Sequence, residues 1–158
     1  MTTIRDLQQN LKSFNPLYES IKAAQANTKE MILLNLGQLF IGENNQGNSF
    51  KKYRWEDYAQ QKNQQNPRPG LGYPDLKLTG GFYKGFFATV TSNGIVMGSH
   101  GKHAQWLEEY YSRRGQQLIY GLHEENMKQW IEDCFMVDYA KAVDDHTGLK
   151  LSTPTSQP

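Results

Sequence analysis

Residues 16–42 read PLYESIKAAQANTKEMILLNLGQLFIG, and their apolar positions recur at three- and four-residue steps. This spacing predicts one apolar stripe along about seven helical turns. Asn15 and Pro16 predict the start of the helix, because asparagine caps free backbone N–H groups and proline fits the first turn. Gly42 predicts its end. The stripe consists of Leu17, Ile21, Ala24, Thr28, Met31, Ile32, Asn35, Leu36, Leu39 and Phe40.

A second helical stripe is predicted near the end of the chain, from after His123 to about His146. Glu124 and Glu125 fall in its first turn, where the helix dipole favours negative charge, and Gly148 is a natural stop. The apolar residues of this stripe are Met127, Trp130, Ile131, Cys134, Phe135, Val137 and Ala142. A short amphipathic helix over residues 3–12 is predicted to precede the first long helix.

Residues 76–99 carry the signals of a β-hairpin. Phe82, Phe86, Ala88 and Val90 approximate a two-residue period, and Ile95-Val96-Met97 supplies the returning strand. Ser92-Asn93-Gly94 between them is typical of a tight turn. A brief helix is predicted from His103 to Tyr111, and a short strand around Leu118–Tyr120.

Residues 43–75 are rich in Asn, Gln, Gly and Lys, and the run from Asn66 to Gly70 is not helical. The segment also contains four aromatic residues, Phe50, Tyr53, Trp55 and Tyr58. A free linker seldom carries so many aromatic residues, and loops of this length in small domains are usually functional or disordered. We therefore predict an extended loop, with a short helix near residues 55–62, that becomes ordered on a partner surface.

These elements predict an α+β fold in which two long helices pack on a small antiparallel β-sheet. A chain of 158 residues has room for a single core. We expect one domain over residues 1–149, with residues 43–75 as its extended loop. The polar residues 150–158 are expected to form a flexible tail.

The composition excludes several classes of function. The formal net charge is +1, whereas a nucleic-acid binder or a protein on an anionic membrane normally shows a basic excess. No apolar run is long enough for a membrane span, and the N-terminal residues lack the apolar core of a signal peptide. Cys134 is the only cysteine, so we expect an inert thiol in a reducing cytoplasm. We expect partners other than a membrane or a specific nucleic-acid sequence.

Catalytic and metal-binding patterns are weak. His100-Gly101-Lys102-His103 is the best metal candidate, with Glu108, Glu109 and His123 downstream, but its spacing matches no zinc motif. Gly98-Ser99-His100-Gly101 lacks the Gly-x-Ser-x-Gly pattern of a serine hydrolase. Adjacent carboxylates such as Glu132-Asp133 point to different helix faces and fit a solvated surface. We expect no catalytic, cofactor-binding or metal-binding residues, and no cofactor. The rival hypothesis is a metal-dependent hydrolase that uses His100, His103 and a carboxylate.

The run from Lys51 to Trp55 mixes basic and aromatic residues, as in proteins that bind single-stranded nucleic acid. Glu56 and Asp57 follow at once and offset its charge. A loop that faces a protein partner explains the same residues, and we prefer that interpretation.

Three segments together resemble the virion-morphogenesis and tail-completion proteins of tailed phages, which include head–tail joining and tail-terminator subunits. The first is the polar stretch 42–50 after a long helix, and the second is Leu-Lys-Leu-Thr-Gly-Gly-Phe-Tyr at residues 76–83. The third is Gly-Ile-Val-Met-Gly-Ser at residues 94–99, followed by a helix with Ala104, Trp106 and Glu108. The similarity spans about residues 15–149.

The resemblance implies a structural virion protein, a ring subunit at the neck, the head–tail interface or the tail end, with no catalytic residues. It implies other neck, portal or tail proteins as partners, and assembly in the host cytoplasm before incorporation into the virion. We predict that the subunit interface comprises Phe50, Tyr53, Trp55, Tyr58, Phe82, Phe86 and Val96. The alternative is a monomeric binding or host-modulating module without catalysis.

Overall fold

The computed structural model describes residues 3–77, 79–113 and 118–149. Three helices come first: α1 (Ile4–Ser13), α2 (Pro16–Ala26) and α3 (Thr28–Phe40). The predicted start of α2 is confirmed, because the Asn15 side chain accepts a hydrogen bond from the Tyr18 N–H and proline occupies the first turn. The predicted N-terminal amphipathic helix is confirmed as α1.

The prediction of a single long helix over residues 16–42 is wrong, because the segment forms two helices that are separated at Asn27. The Asn27 side-chain N–H₂ donates to the Ala23 carbonyl at 2.9 Å and to the Asp138 carboxylate at 2.7 Å. The backbone carbonyl of Asn27 accepts a hydrogen bond from the indole N–H of the buried Trp130. Asparagine competes in this way with helical hydrogen bonds, and the last helix supplies the partners that stabilise the break.

The middle of the chain contains helix α4 (Glu56–Gln65), the short helix α5 (Gly81–Lys84) and an antiparallel hairpin. Strands β1 (Phe86–Thr91) and β2 (Gly94–Ser99) form the only sheet found in the described residues. The predicted hairpin and its turn are confirmed. Phe82 was predicted to share the strand period, but it lies in α5, before the strand begins.

The last part of the fold contains α6 (Ala104–Arg113) and a long helical run. That run consists of α7 (Glu124–Trp130), a π-helical turn (Ile131–Phe135) and α8 (Met136–Thr147). Gly148 ends it in the left-handed conformation that favours glycine. The predicted closing helix is confirmed in extent, although the π-helical turn interrupts its regular geometry. None of the described helices is both long and apolar enough to cross a membrane.

The short strand predicted around Leu118–Tyr120 is wrong for the described residues 118–120, which form no strand. Side-chain amides hold this backbone instead. Asn35 accepts from the Gly121 N–H and donates to the Ile119 carbonyl, while Gln38 donates to the Gly121 carbonyl at 2.7 Å. Asn45 donates to the Tyr120 carbonyl. Since backbone groups that are bonded to amide side chains cannot join a ladder, the segment stays irregular.

Buried residues within the described ranges form two core clusters. The first contains Leu39, Phe50, Leu76, Phe82, Ala104, Tyr111 and Ile119. The second contains Ala24, Met31, Leu122 and Trp130, and the inner face of the hairpin packs against it. Residues 43–75 were predicted to form an extended loop, yet Phe50 from this segment is only 1% exposed. The segment is therefore part of the folded core rather than an excursion from it.

Candidate functional site: an aromatic cavity with a basic rim

A cavity of about 720 Å³ opens between α4, α5 and α6. The residues that line it are Tyr53, Arg54, Trp55, Tyr58, Lys62, Leu76, Lys77, Thr79, Gly80, Phe82, Lys102, His103, Trp106, Leu107, Tyr110 and Tyr111. A volume of this size is within the range of sites that hold small ligands or the side chains of a partner. We call it the aromatic cavity.

Aromatic rings from two helical regions form much of its surface. Tyr53 meets Tyr58 edge to face at a centroid distance of 4.8 Å, beside the start of α4. Trp106 stacks on Tyr110 at 5.2 Å on α6. Trp55 is 69% exposed and Trp106 is 59% exposed, although both residues line the cavity. Exposed tryptophans at a concave surface are typical of binding sites, because they bury a large apolar area when a partner arrives.

The exposed ionisable residues that line the cavity are basic. Arg54, Lys77, Lys102 and His103 are exposed, and none of the described residues that line the cavity is Asp or Glu. The Arg54 guanidinium lies 5.9 Å from the centre of the Trp55 ring, and the Lys77 ammonium lies 5.1 Å from that of Phe40. Contacts with aromatic rings leave the formal charge of a cation uncompensated. The aromatic cavity therefore favours an anionic partner with an apolar part.

A buried ion pair supports one wall. The Lys62 ammonium lies 2.8 Å from the Asp75 carboxylate, and the two side chains are 5% and 3% exposed. Lys62 also donates to the Lys77 carbonyl, and Asp75 accepts from Asn66 and from the Lys77 N–H. This network fixes the backbone on both sides of Leu76, which adopts a left-handed φ of 54°. A strained residue of this kind needs such surroundings to hold it.

Burial raises the pKa of three phenols in and beside the cavity, those of Tyr53, Tyr58 and Tyr83. Burial, followed by the influence of Tyr111 and Tyr58, raises the pKa of Tyr53 far above its ordinary value. Burial and then Asp75 raise the pKa of Tyr58 and Tyr83. The Tyr83 hydroxyl donates to the Asp75 carbonyl. A phenol whose pKa is raised stays protonated at neutral pH, so these tyrosines supply surface and hydrogen-bond donors rather than a base.

The two histidines of the candidate metal motif lie in different surroundings. His100 stacks on Phe87 with ring centres 4.3 Å apart, whereas His103 lines the aromatic cavity with a left-handed φ of 73°. In residues 3–77, 79–113 and 118–149, no group of three or more His, Cys, Asp or Glu side chains could hold a metal ion. The thiol of Cys134 is half-buried, and burial raises its pKa, so it is a poor nucleophile.

The structure separates the residues of the predicted interface. Tyr53, Trp55 and Tyr58 meet at the aromatic cavity, and Val96 is exposed on the hairpin. Phe50 and Phe82 are buried in the first core cluster, and Phe86 packs against that cluster. Buried side chains cannot contact a partner in this fold, so Phe50 and Phe82 are better described as core residues, whereas Phe86 is only partly buried.

Sequence reasoning missed half of the cavity. The sequence predicts only a brief helix over residues 103–111, and it assigns Trp106, Tyr110 and Lys77 no part in a site. Lys102 appears only within the weak metal motif. The signal was present, because Trp106 and Tyr110 are four residues apart and therefore share one helix face. What the sequence did not show is that this face lies opposite the Tyr53–Tyr58 segment.

The hairpin presents a second accessible surface. Residues at alternate positions share a face, and Ala88, Val90 and Met97 pack on the second core cluster. On the opposite face, Thr89 and its cross-strand partner Val96 are exposed. Val96 is 57% exposed, which is high for an apolar strand residue in a sheet.

Comparison of the chain with protein-family models, with curated proteins and with solved structures gave no match. The function is therefore inferred from the cavity, the hairpin and the resemblance of the sequence.

Proposed function

We propose that this chain is a structural virion protein of a tailed phage that assembles as a ring subunit at the neck, the head–tail interface or the tail terminus. In this proposal it has no catalytic activity, and it passes from the host cytoplasm into the virion. The similarity of residues 42–50, 76–83 and 94–99 to tail-completion proteins supports the proposal. The observation that carries it is the open outer edge of β2.

β2 pairs with β1 and has no other strand neighbour in the part of the chain that is described. Its outer edge therefore offers backbone N–H and C=O groups to a further strand. The residues at its beginning, Gly94, Ile95 and Val96, are all exposed. A two-stranded sheet gains stability from additional strands, so pairing with a neighbouring subunit is favourable.

The test is the solution mass across a concentration series, by light scattering after size exclusion. We expect the wild type to form a discrete oligomer, and Val96→Asp to raise the midpoint concentration of association at least ~10-fold, because the new carboxylate would be desolvated at the contact. Ile4→Asp is the matched control, since Ile4 is an exposed apolar residue on α1, which packs mainly against α8. Phe86 is unsuitable for this test because it packs against the core.

If Val96→Asp associates like the wild type, the strand-edge contact is wrong. If the wild type is a monomer at every concentration, ring assembly is wrong. The aromatic cavity favours a second candidate in that case, a monomeric binding or host-modulating module, because a preformed concave site suits the capture of one partner. A pull-down with wild type and Trp106→Ala would then test it.

A further inference from the structure

We propose that the aromatic cavity of one copy receives an acidic patch on the terminal helix of a second copy. This acidic helix patch comprises Glu124, Glu125, Ile131 and Glu132, all of them exposed. Residues seven apart lie in line on a helix, so Glu124 and Ile131 form one row and Glu125 and Glu132 form the neighbouring row. The inference rests on the proposed ring assembly and specifies one contact between its subunits.

Charge complementarity is the first argument. Arg54, Lys77 and Lys102 at the cavity form no ion pair with any residue that the structure describes. Lys62 already has a carboxylate partner in Asp75. The exposed cations are therefore available to an external anion, and a partner that brings carboxylates would lower their mutual repulsion.

The terminal helix carries the opposite charge. Residues 124–147 contain seven carboxylates and only two lysines, although the whole chain has a net charge of +1. One of those lysines, Lys128, lies 3.9 Å from Glu132 in an exposed pair, and such pairs contribute little. The chain is thus basic at the cavity and acidic at its last helix.

The acidic helix patch also offers an apolar side chain. Ile131 is 38% exposed and begins the π-helical turn that Glu132 and Asp133 continue. A π-helical turn widens the helix and is frequent at functional positions. Ile131 can bury its apolar area against Trp55 and Trp106, while the carboxylates beside it meet Arg54 and Lys102. Buried aromatic anchors surrounded by charge pairs are the usual composition of a strong protein contact.

Within one molecule the two surfaces belong to different parts of the core. The cavity is built on the first core cluster through Leu76, Phe82 and Tyr111, whereas the terminal helix packs on the second through Trp130 and Cys134. No ion pair joins them among the described residues. In this proposal the basic rim of the cavity therefore meets the acidic helix patch of a different copy.

A contact between two different surfaces is heterologous. When two copies bind in this way, one cavity and one acidic helix patch stay free at the ends of the pair, and each can bind a further copy. Repetition with the correct rotation closes a ring.

The experiment is a charge swap read by light scattering. Arg54→Glu/Lys102→Glu reverses the rim, and Glu125→Lys/Glu132→Lys reverses the acidic helix patch. We expect each double variant alone to require at least ~10-fold higher concentration for association, and an equimolar mixture of the two to associate at lower concentration than either alone. Lys22→Glu/Lys29→Glu, at two exposed lysines of α2 and α3, changes the net charge as the rim variant does and should associate like the wild type.

Circular dichroism would verify that each variant is folded, and Arg54→Gln/Lys102→Gln would replace the reversal if it were not. Rim variants that associate like the wild type would overturn this contact and leave ring assembly standing. Loss of association without recovery in the mixture would show that the acidic helix patch is not the occupant. A wild type that never associates would overturn ring assembly itself. Binding of a labelled dT15 oligonucleotide by the wild type, with loss only in the rim variant, would assign the cavity to single-stranded nucleic acid instead.

Discussion

Lys62 and Asp75 form an ion pair that is almost completely buried beneath the aromatic cavity. Taking two charges out of water is unfavourable. Their mutual attraction offsets this cost only when further hydrogen bonds satisfy the remaining donors and acceptors of both groups. Asn66 and the backbone of Lys77 supply those bonds. The pair therefore maintains a particular wall of the cavity, and removing one partner leaves an uncompensated charge.

We predict that Lys62→Met lowers the free energy of unfolding by about 3–5 kcal/mol, because Asp75 remains buried without its cation. Lys62→Met/Asp75→Asn should recover a large part of this loss, since the amide is neutral and still accepts hydrogen bonds. Urea denaturation followed by circular dichroism measures both.

Lys22→Met is the matched control, because Lys22 pairs with Glu19 at the surface at 3.5 Å. It should change stability by less than about 1 kcal/mol. A loss below 1 kcal/mol in Lys62→Met as well would show that the buried pair is not required for the fold.

Helix α5 and the end of β2 approach each other through glycines. A Cβ atom on Gly101 would lie 2.3 Å from the carbonyl oxygen of Gly81, and one on Gly85 would lie 2.1 Å from the Gly101 nitrogen. The His100 N–H donates to the Gly85 carbonyl across this contact. Only residues without a side chain permit the two backbones to come so close, and the approach places His103 and α6 beside the cavity.

Gly101→Ala should therefore destabilise the protein by about 1–3 kcal/mol, because the backbone of α5 must shift to admit the methyl group. Gly37→Ala is the control, since a Cβ there meets nothing within 4 Å and Gly37 lies inside α3. That change should raise stability by about 0.5–1 kcal/mol. Thermal melts of both variants give the comparison, and an equally stable Gly101→Ala would refute the close approach.

The division of the first long helix shows what periodicity leaves out. The apolar stripe runs through Asn27 without interruption, so the sequence pattern favours one helix. The break depends on hydrogen bonds to Asp138 and Trp130, more than 100 residues later. Partners at such a distance have no signature in the local sequence.

Residues 43–75 join the rest of the molecule through buried residues. Phe50 contacts Tyr111 with ring centres 5.0 Å apart, and Asn66 donates to the carbonyl of Phe40 at the end of α3. From these contacts we predict that the segment unfolds together with the rest of the molecule.

Phe50→Ala is expected to lower the free energy of unfolding of the whole domain by about 3–5 kcal/mol, because it leaves a cavity in the first core cluster. Trp55→Ala, five residues away and exposed, should cost less than about 1 kcal/mol in the isolated protein. Urea denaturation compares the two. A small effect of Phe50→Ala would mean that residues 43–75 are ordered independently of the core, as an extended loop would be.

The sequence by itself determined the α+β class, the hairpin with its turn, the starts of α1 and α2, and the stop at Gly148, because caps, turns and alternation are properties of a few neighbouring residues. It also indicated that Tyr53, Trp55 and Tyr58 are unusual as aromatic residues in a polar segment, which predicted a role in contacting a partner. Only the tertiary structure decided that Phe50 and Phe82 are core residues, that Asn27 divides a helix, and that Trp106 and Lys102 complete a cavity with residues 53–58. The physical reason is that burial, long-range hydrogen bonds and the meeting of two surfaces depend on which distant segments pack together, and no local pattern specifies that.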